Sequence, residues 1–306
     1  MRWMGDRESE NIEDRRGGGM PMAVGGIGGI GAIIVIVVGL FLGVDPSTLM
    51  SLLNGDQLPQ QQTETGSSQP QADSGYTEAG RSGTSRPPEA APSDTTRHFV
   101  AVVLADTEDV WKQTFAKSGR TYVEPKLVLF SGTIDSTCGL ASKASGPFYC
   151  PDDQKVYLDL SFFEEMKSRF HAPGEFAEAY VIAHEVGHHV QNSLGILPAA
   201  RREEAAGDRR GANAISVRVE LQADCLAGVW AYNADRMKHI IENGDVEAAL
   251  NAASAIGDDR LQMQARGTVV PDAFTHGSSA QRVRWFRRGL TSGDTRQCNT
   301  FAANEP

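Results

Sequence analysis

The amino-acid sequence predicts an α+β fold, in which a small β-sheet is segregated from many helices. Two short segments have the apolar alternation of strands, whereas several longer ones have the apolar spacing of helices. An apolar run and a polar, proline-containing run precede them, which predicts one transmembrane helix and a flexible linker before the folded domain. A 306-residue chain that is 40% hydrophobic is not wholly disordered, and its net charge of −10 excludes nucleic acid as a partner.

The beginning of the chain predicts a membrane anchor. Residues 1–21 are charged in their first part and cannot pack a core, so we assign them to a cytoplasmic N-terminal segment. Residues 22–44 are predicted to form one transmembrane helix, because Ile27 to Val44 is apolar or glycine throughout. A buried core helix and a cleaved signal peptide are the alternatives. Core helices of this length seldom lack a polar face, and no small-residue cleavage pattern follows the run.

The orientation of the anchor follows from the positive-inside rule. Arginines precede the apolar run, and no Lys or Arg follows it before Arg81. The N-terminus is therefore expected in the cytoplasm and the rest of the chain outside it, with residues 22–44 in contact with the lipid bilayer. Residues 45–96 are the predicted linker, because Gln, Ser, Gly, Pro and Thr dominate there and cannot bury enough apolar surface to order the chain.

Residues 97–306 form the predicted folded domain. An amphipathic helix is expected around Val110, Trp111 and Phe115. Strands are predicted at Lys126–Phe130 and Lys155–Leu160. Further helices are expected at about 161–170, 174–194, 213–238, 245–265 and 278–290.

Two of these helices carry start signals. Asp245 can cap the helix at 245–265, and Ser278 with Gln281 forms a capping box for the last helix. The arginines of that last helix are expected to lie in solvent on an amphipathic surface; they are Arg282, Arg284, Arg287 and Arg288.

The segment AYVIAHEVGHHVQNSLG predicts a metal site. His184, Glu185 and His188 form an HExxH motif on a strongly helical stretch, where residues four apart lie one turn above each other. Both imidazoles can therefore reach one cation, and Glu185 lies beside it, where a carboxylate can take a proton from metal-bound water. His189 points about 100° away from His188 and is expected at the surface or behind the ligands. The alternative is two satisfied histidines on a buried helix.

A third ligand is expected downstream, because catalytic zinc usually has three protein ligands and a water. The metzincin signature is excluded, since Gln191 and Leu194 occupy its Gly and His positions. In ELQAD, Glu220 and Asp224 are four apart on one helix face, so Glu220 is the predicted ligand and Asp224 the acceptor of a ligand histidine's N–H. The alternative is that both acids face solvent.

The four cysteines are predicted to form two disulfides. No CxxC spacing is present, which excludes a thioredoxin-type motif and a zinc ribbon. Outside the cytoplasm, Cys138 is expected to pair with Cys150 and Cys225 with Cys298. Cys225 is not expected to bind metal, because Glu220 is better placed.

The chain resembles the bacterial, membrane-anchored neutral zinc metallopeptidases. The likeness covers most of the chain and is carried by MRW followed by NIEDRRG, GPFYCPDDQKVYLDLSFF, AYVIAHEVGHHVQ, ELQADCLAGVWA and HGSSAQRVRWFRRG. It implies a zincin-like domain whose edge strand, expected at KVYLDL, holds a peptide or protein substrate. It also implies that His184, His188 and Glu220 bind Zn²⁺ with Glu185 as the catalytic acid/base. With the anchor, it places a single-pass protein in the bacterial inner membrane, with a periplasmic or extracellular domain.

A further donor is expected to stabilise the oxyanion of peptide hydrolysis. The candidates are His276, Tyr157 and Tyr180, of which His276 is preferred. The alternative function is a non-hydrolytic envelope module with a structural or vestigial zinc site. Glu185 favours catalysis, because a structural site has no use for a carboxylate beside a water-bearing metal.

Overall fold

A four-stranded sheet supports the domain in the computed structural model, which describes residues 1–16, 92–142, 145–304 and 306. Its strands are β1 (Ile12–Asp14), β2 (Lys126–Phe130), β5 (Phe148–Cys150) and β6 (Lys155–Asp159), in the order β1-β2-β6-β5. Strands β1, β2 and β6 are parallel, and β5 is antiparallel to β6. Strands β3 (Thr133–Ser136) and β4 (Gly139–Ser142) form a separate hairpin.

Eight α-helices accompany the sheet in the described part of the chain. They are α1 (Pro92–Lys117), α2 (Ser161–Ser168), α3 (Glu175–Ser193), α4 (Ile196–Ala206), α5 (Arg209–Lys238), α6 (Asp245–Ala255), α7 (Asp258–Arg266) and α8 (Ser279–Ser292). Short 3₁₀ turns lie at Pro271–Ala273 and Thr295–Cys298. The predicted helix-rich α+β fold is confirmed.

The anchor prediction falls outside this description. Residues 22–44 and the linker up to residue 91 are not among the described residues, whereas residues 92–96 already belong to α1. None of the helices that the structure describes combines the length and the apolar character needed to cross a bilayer.

Both predicted strands are present, but the edge prediction is wrong. KVYLDL forms β6, which lies between β2 and β5 rather than at an edge. The edge strand beside β6 is β5, which spans three residues and is too short to show a sequence alternation. The segment Phe148–Cys150 therefore takes the edge position.

The sheet is buried on both faces. Leu127 and Leu129 of β2 point into the main core with the helices, whereas Val128 and Phe130 point to the opposite face. The β3–β4 hairpin covers that second face, with Ile134 buried against it. The predicted disulfide between Cys138 and Cys150 is present and links the hairpin to β5.

The predicted helix at 245–265 is two helices. The chain breaks at Gly257, where a Cβ atom would collide with the backbone and side chain of Ser279. The predicted cap at Asp245 is wrong, because Gly244 is the N-cap and the Asp245 carboxylate accepts from the Glu242 backbone N–H at 2.8 Å. The capping box of Ser278 and Gln281 is confirmed at the start of α8.

The prediction that the charged N-terminal segment cannot pack a core is wrong for the described residues 1–16. Trp3 is 8% exposed and packs edge-on against Phe99 of α1, with ring centroids 5.4 Å apart. Strand β1 extends the sheet next to β2. The charges are accommodated because they meet partners on the domain: the Arg7 guanidinium lies 3.0 Å from Glu108 and 2.8 Å from Asp109.

Helices α5 and α8 cross in close contact. A Cβ atom at Gly289 of α8 would collide with the Cys225 carbonyl of α5, and one at Gly228 would collide with the Phe286 carbonyl. The predicted disulfide between Cys225 and Cys298 is present and ties the C-terminal segment to α5. Helix α5, which carries Glu220 and Asp224, is thereby held both by α8 and by the C-terminal segment.

Candidate metal centre

Helices α3 and α5 bring three predicted ligands together. His184 and His188 lie on α3 and Glu220 on α5, and one ligand atom from each lies within 4.8 Å of the others. The Glu220 carboxylate is 3.2 Å from His184 Nε2 and 3.5 Å from His188 Nε2. The two helices approach closely because Gly187 has no side chain: a Cβ atom there would lie 3.1 Å from the Ala223 carbonyl oxygen.

Asp224 lies behind His184 and is completely buried. Its Oδ1 accepts from His184 Nδ1 at 2.9 Å, which leaves the Nε2 of that ring facing Glu220. The structure thus places Asp224 where the sequence predicted an acceptor for a ligand histidine.

Arg282 of α8 is the partner that the sequence missed. The expectation that Arg282 is solvated is wrong, since its side chain is 3% exposed and forms two 2.9 Å bonds to the Asp224 carboxylate. Tyr180, one of the lesser candidates for the oxyanion donor, also donates its hydroxyl hydrogen to Asp224, so this hydrogen is already used inside the protein. Both groups satisfy a buried carboxylate, which explains why they are inside the protein.

Glu185 lies beside the ligands and is 8% exposed. Burial raises the pKa of its carboxyl, although His184 and His188 act to lower it. No side chain of the described residues donates a hydrogen bond to Glu185. Its carboxylate is therefore available for a ligand or a water molecule.

The three ligands change one another's pKa values. Burial acts to lower the pKa of His184, but its hydrogen bonds to Asp224 and Glu220 raise it to about 10. Burial acts in the opposite direction on Glu220, yet His188 and His184 hold the pKa of this carboxyl well below its usual range. The site therefore concentrates negative charge that needs a cation, which the two imidazoles supply when protonated.

This donor set fits a divalent zinc ion. Two imidazole nitrogens and one carboxylate oxygen form the His₂Glu set of catalytic zinc sites. Each histidine uses its other ring nitrogen in a hydrogen bond, His184 to Asp224 and His188 to Gln191 at 2.9 Å. Both Nε2 atoms are thereby directed to the same place as Glu220.

His276 lies near this group on the loop before α8. Its side chain is 42% exposed, and its Nδ1 lies 3.3 Å from the buried Asp258 carboxylate. Asp258 also accepts from the backbone N–H groups of His276 and of its two neighbours, at 2.6 to 3.1 Å. Desolvation acts to lower the pKa of His276, but Asp258 and the negative charge of Glu220 raise it.

Two other predicted positions do not join the site. Tyr157 donates its hydroxyl hydrogen to Asp153 at 2.7 Å and belongs to the cluster on the hairpin side of the sheet, so its candidacy as an oxyanion donor is wrong. His189 is buried rather than at the surface, and its ring nitrogens lie 3.0 Å from the Tyr149 hydroxyl and 2.7 Å from the Val123 carbonyl. This histidine joins α3 to the sheet side of the domain.

The fold and the grouping of His184, His188 and Glu220 define a protein with a candidate metal site of the HExxH class. The chain belongs to the family described as "Putative neutral zinc metallopeptidase", whose profile matches residues 1–301. Two relatives of this chain are each described as an uncharacterized protein. One is YpfJ of Escherichia coli K12, which is 48% identical over 309 residues that cover 98% of this chain and 99% of the relative. The other is Rv2575 of Mycobacterium tuberculosis H37Rv, which is 47% identical over 192 residues that cover 60% of this chain and 64% of the relative. No solved structure matches the chain.

Proposed function

We propose that the protein is a zinc-dependent metallopeptidase that hydrolyses peptide bonds in a peptide or protein substrate. The observation that carries the proposal is the position of Glu185, a buried carboxylate beside the converging ligands His184, His188 and Glu220. A site that held zinc for structure alone would need no such group.

The three ligands and Glu185 have different roles in the proposed hydrolysis. Bound by His184, His188 and Glu220, zinc would lower the pKa of a coordinated water toward about 7 and polarise the scissile carbonyl. Glu185 then accepts the proton of the attacking water and delivers it to the nitrogen of the leaving amine. The raised pKa of Glu185 favours such a proton carrier, since a carboxylate with an ordinary pKa is a weak base at neutral pH.

His276 is the proposed donor to the developing oxyanion. Thr275 and Asp258 hold the Nδ1 side of the ring, and none of the described residues bonds to Nε2, so Nε2 can donate. The side chain is 42% exposed, which leaves it accessible to a substrate. The negative charge of Glu220 contributes to raising the pKa of this imidazole, which supports placing His276 in the same part of the domain as the ligands.

The substrate is proposed to bind along β5. Among the described strands, none pairs with the outer edge of Phe148–Cys150, so its backbone can accept an extended peptide as an added strand. This replaces the sequence-based choice of KVYLDL, which is already paired on both sides.

The proposed compartment is outside the cytoplasm. The two disulfides support it, because such bonds persist in oxidising compartments. Residues 22–44 are proposed as the contact with the lipid bilayer on their apolar composition.

The deciding experiment compares the purified full-length chain with a Glu185→Gln variant. We expect one zinc ion per wild-type chain and hydrolysis of a peptide library that Glu185→Gln lacks while still holding zinc. Glu178→Gln is the matched control, since it makes the same change about two turns earlier on α3, where the residue is only half-buried. The proposal fails if the zinc-loaded wild type never exceeds Glu185→Gln on any peptide, and the non-hydrolytic zinc module then replaces it.

A further inference from the structure

A buried glutamine contacts the second ligand histidine. Gln191 lies on α3 three residues after His188 and is completely buried. Its Oε1 accepts from His188 Nδ1 at 2.9 Å. Its Nε2 donates to the Val219 carbonyl at 2.8 Å and to Gln222 Oε1 at 3.0 Å. All hydrogen-bonding groups of this side chain are therefore used inside the protein.

The Val219 carbonyl fixes which way the Gln191 amide points. A backbone carbonyl only accepts hydrogen bonds, so the NH₂ group of Gln191 must face Val219. The oxygen of the same amide then faces His188, and an oxygen acceptor requires a hydrogen on His188 Nδ1. The lone pair of the neutral ring is left on Nε2, which faces Glu220.

Gln222 extends this arrangement to the C-terminal segment. It is 6% exposed, and its NH₂ group donates to the Cys298 carbonyl at 2.9 Å. This second carbonyl forces the Gln222 oxygen toward Gln191. Cys298 is held in place by its disulfide to Cys225 on α5. His188, Gln191 and Gln222 thus form a hydrogen-bond relay. The main-chain carbonyls of Val219 and Cys298 set which group donates and which accepts at each step.

We infer that Gln191 is the positioning residue of His188 and that Gln222, together with the Val219 carbonyl, fixes the orientation of Gln191. The inference rests on the proposed zinc site. The two ligand histidines are supported in different ways: the carboxylate of Asp224 holds His184, whereas a neutral amide holds His188. A neutral acceptor orients the ring without adding negative charge beside the carboxylates of Glu185, which is buried, and Glu220, which is partly buried.

The test uses Gln191→Met and Gln222→Met in the full-length chain, because methionine keeps the volume and removes the hydrogen bonds. Zinc affinity is measured by competition with a chromophoric chelator, and the histidine Nδ1–H signals are followed by NMR on ¹⁵N-histidine-labelled protein. We expect Gln191→Met to weaken zinc binding about 10- to 100-fold and to abolish the protected Nδ1–H signal of His188. Gln222→Met is expected to weaken zinc binding less, since Gln191 keeps its bond to Val219.

Gln262→Met is the matched control. Gln262 is also a buried glutamine, 2% exposed, but it bonds to the Val270 backbone N–H outside the relay. We expect this variant to keep the wild-type zinc affinity and His188 signal. The inference is overturned if Gln191→Met keeps both, or if all three variants lose zinc equally. Should Gln191→Met fail to form its disulfides, Gln222→Met decides alone, and a wild-type affinity and signal in that variant overturn the inference.

The NMR signal separates this inference from the proposed function. The inferred hydrogen bond requires the Nδ1–H of His188 in the metal-free chain as well, so its signal reports this bond whether or not the protein hydrolyses peptides. A wild-type chain that binds zinc and shows the His188 signal without cleaving any peptide would overturn the proposed function and support the relay. If an active wild-type chain lacks the His188 signal, the proposed function stands and the relay is contradicted.

Discussion

The ion pair of Asp224 and Arg282 shows how a buried carboxylate is kept in its charged form at this site. Two carboxylates, Asp224 and Glu220, lie on one face of α5, and both face groups of the site rather than solvent. Arg282 forms two bonds to Asp224 from another helix and neutralises its charge. Burial acts to raise the pKa of Asp224, but Arg282 and His184 hold it below its usual range. The carboxylate is therefore kept ionised as an acceptor for His184.

Replacing Arg282 with methionine is expected to destabilise the protein. The substitution leaves the Asp224 charge buried without its main partner, which typically costs about 3–5 kcal/mol. Urea unfolding of the purified chain at pH 7 measures the loss. Arg287→Met on the same helix is the control, because Arg287 is exposed and is expected to change stability by no more than about 0.5 kcal/mol. Equal unfolding midpoints for the two variants would contradict the role given to Arg282.

His276→Ala is expected to reduce kcat without releasing zinc. An oxyanion donor acts only on the transition state, so its removal costs on the order of 10²–10³ in kcat. Steady-state peptide hydrolysis and zinc content of the same preparation check both parts. His98→Ala is the control, since His98 is exposed on α1 and pairs with Glu8. An unchanged kcat, or a zinc content that falls together with kcat, would rule out this role for His276.

At the scale of elements, the crossing of α5 and α8 positions the site. Glu220 and Asp224 lie on α5 and Arg282 on α8, so the distance between the two helices sets the Asp224–Arg282 contact. Gly228 and Gly289 allow the backbones to touch at this crossing. The disulfide between Cys225 and Cys298 reinforces it near the same turn of α5.

Gly289→Ala is therefore expected to separate the two helices. The added methyl group would meet the Cys225 carbonyl, and relieving such overpacking typically costs about 1–3 kcal/mol. Zinc affinity is expected to fall with stability, because the movement carries Arg282 away from Asp224. Gly207→Ala is the control, since a Cβ atom there meets nothing closer than 3.5 Å. Thermal unfolding and chelator competition measure the two effects, and a Gly289→Ala chain as stable as Gly207→Ala would contradict the expectation.

Local patterns were sufficient to predict much of the fold. The alternation of KLVLF and KVYLDL and the spacing within α3 depend on neighbours in sequence, and both strands and that helix were predicted. Strand β1 was missed because Ile12–Asp14 has two acidic residues and joins the sheet through a partner more than a hundred residues away. The break at Gly257 was missed because its cause, Ser279, lies on another helix.

The candidate site, like the fold, could be predicted from the sequence only where its residues are close together in the chain. The two histidines and Glu185 are four residues or fewer apart, so helix geometry alone predicted their convergence. Glu220 and Asp224 needed the assumption of a third ligand, and the structure brings them to the histidines. Arg282 and Gln222 gave no local signal, since an arginine or glutamine on a helix faces solvent more often than a buried partner.

At the scale of the molecule, the N-terminal segment is part of the domain. The buried Glu108 of α1 accepts hydrogen bonds from Arg7, Ser9 and Asn11, all of which belong to this segment. Removing residues 1–16 would leave that carboxylate buried without these partners, and Phe99 without Trp3. Such contacts form only when residues 1–16 and the domain are in the same compartment. They do not fit the predicted cytoplasmic position of the N-terminus opposite an extracytoplasmic domain.

We therefore predict that residues 1–16 and the domain lie on the same side of any membrane the protein contacts. Met4→Cys and Leu140→Cys test this, because these side chains are 80% and 63% exposed and the four native cysteines are all in disulfides. In spheroplasts of a bacterial host, a membrane-impermeant maleimide is expected to label both single-cysteine variants to the same extent, while the unsubstituted chain stays unlabelled. Labelling of Leu140→Cys alone, with Met4→Cys reacting only after the cells are lysed, would show that the segment is held away from the domain by the bilayer. The contacts of Trp3, β1 and Glu108 would then be absent from the membrane-bound protein, and its stability in urea would not change when residues 1–16 are deleted.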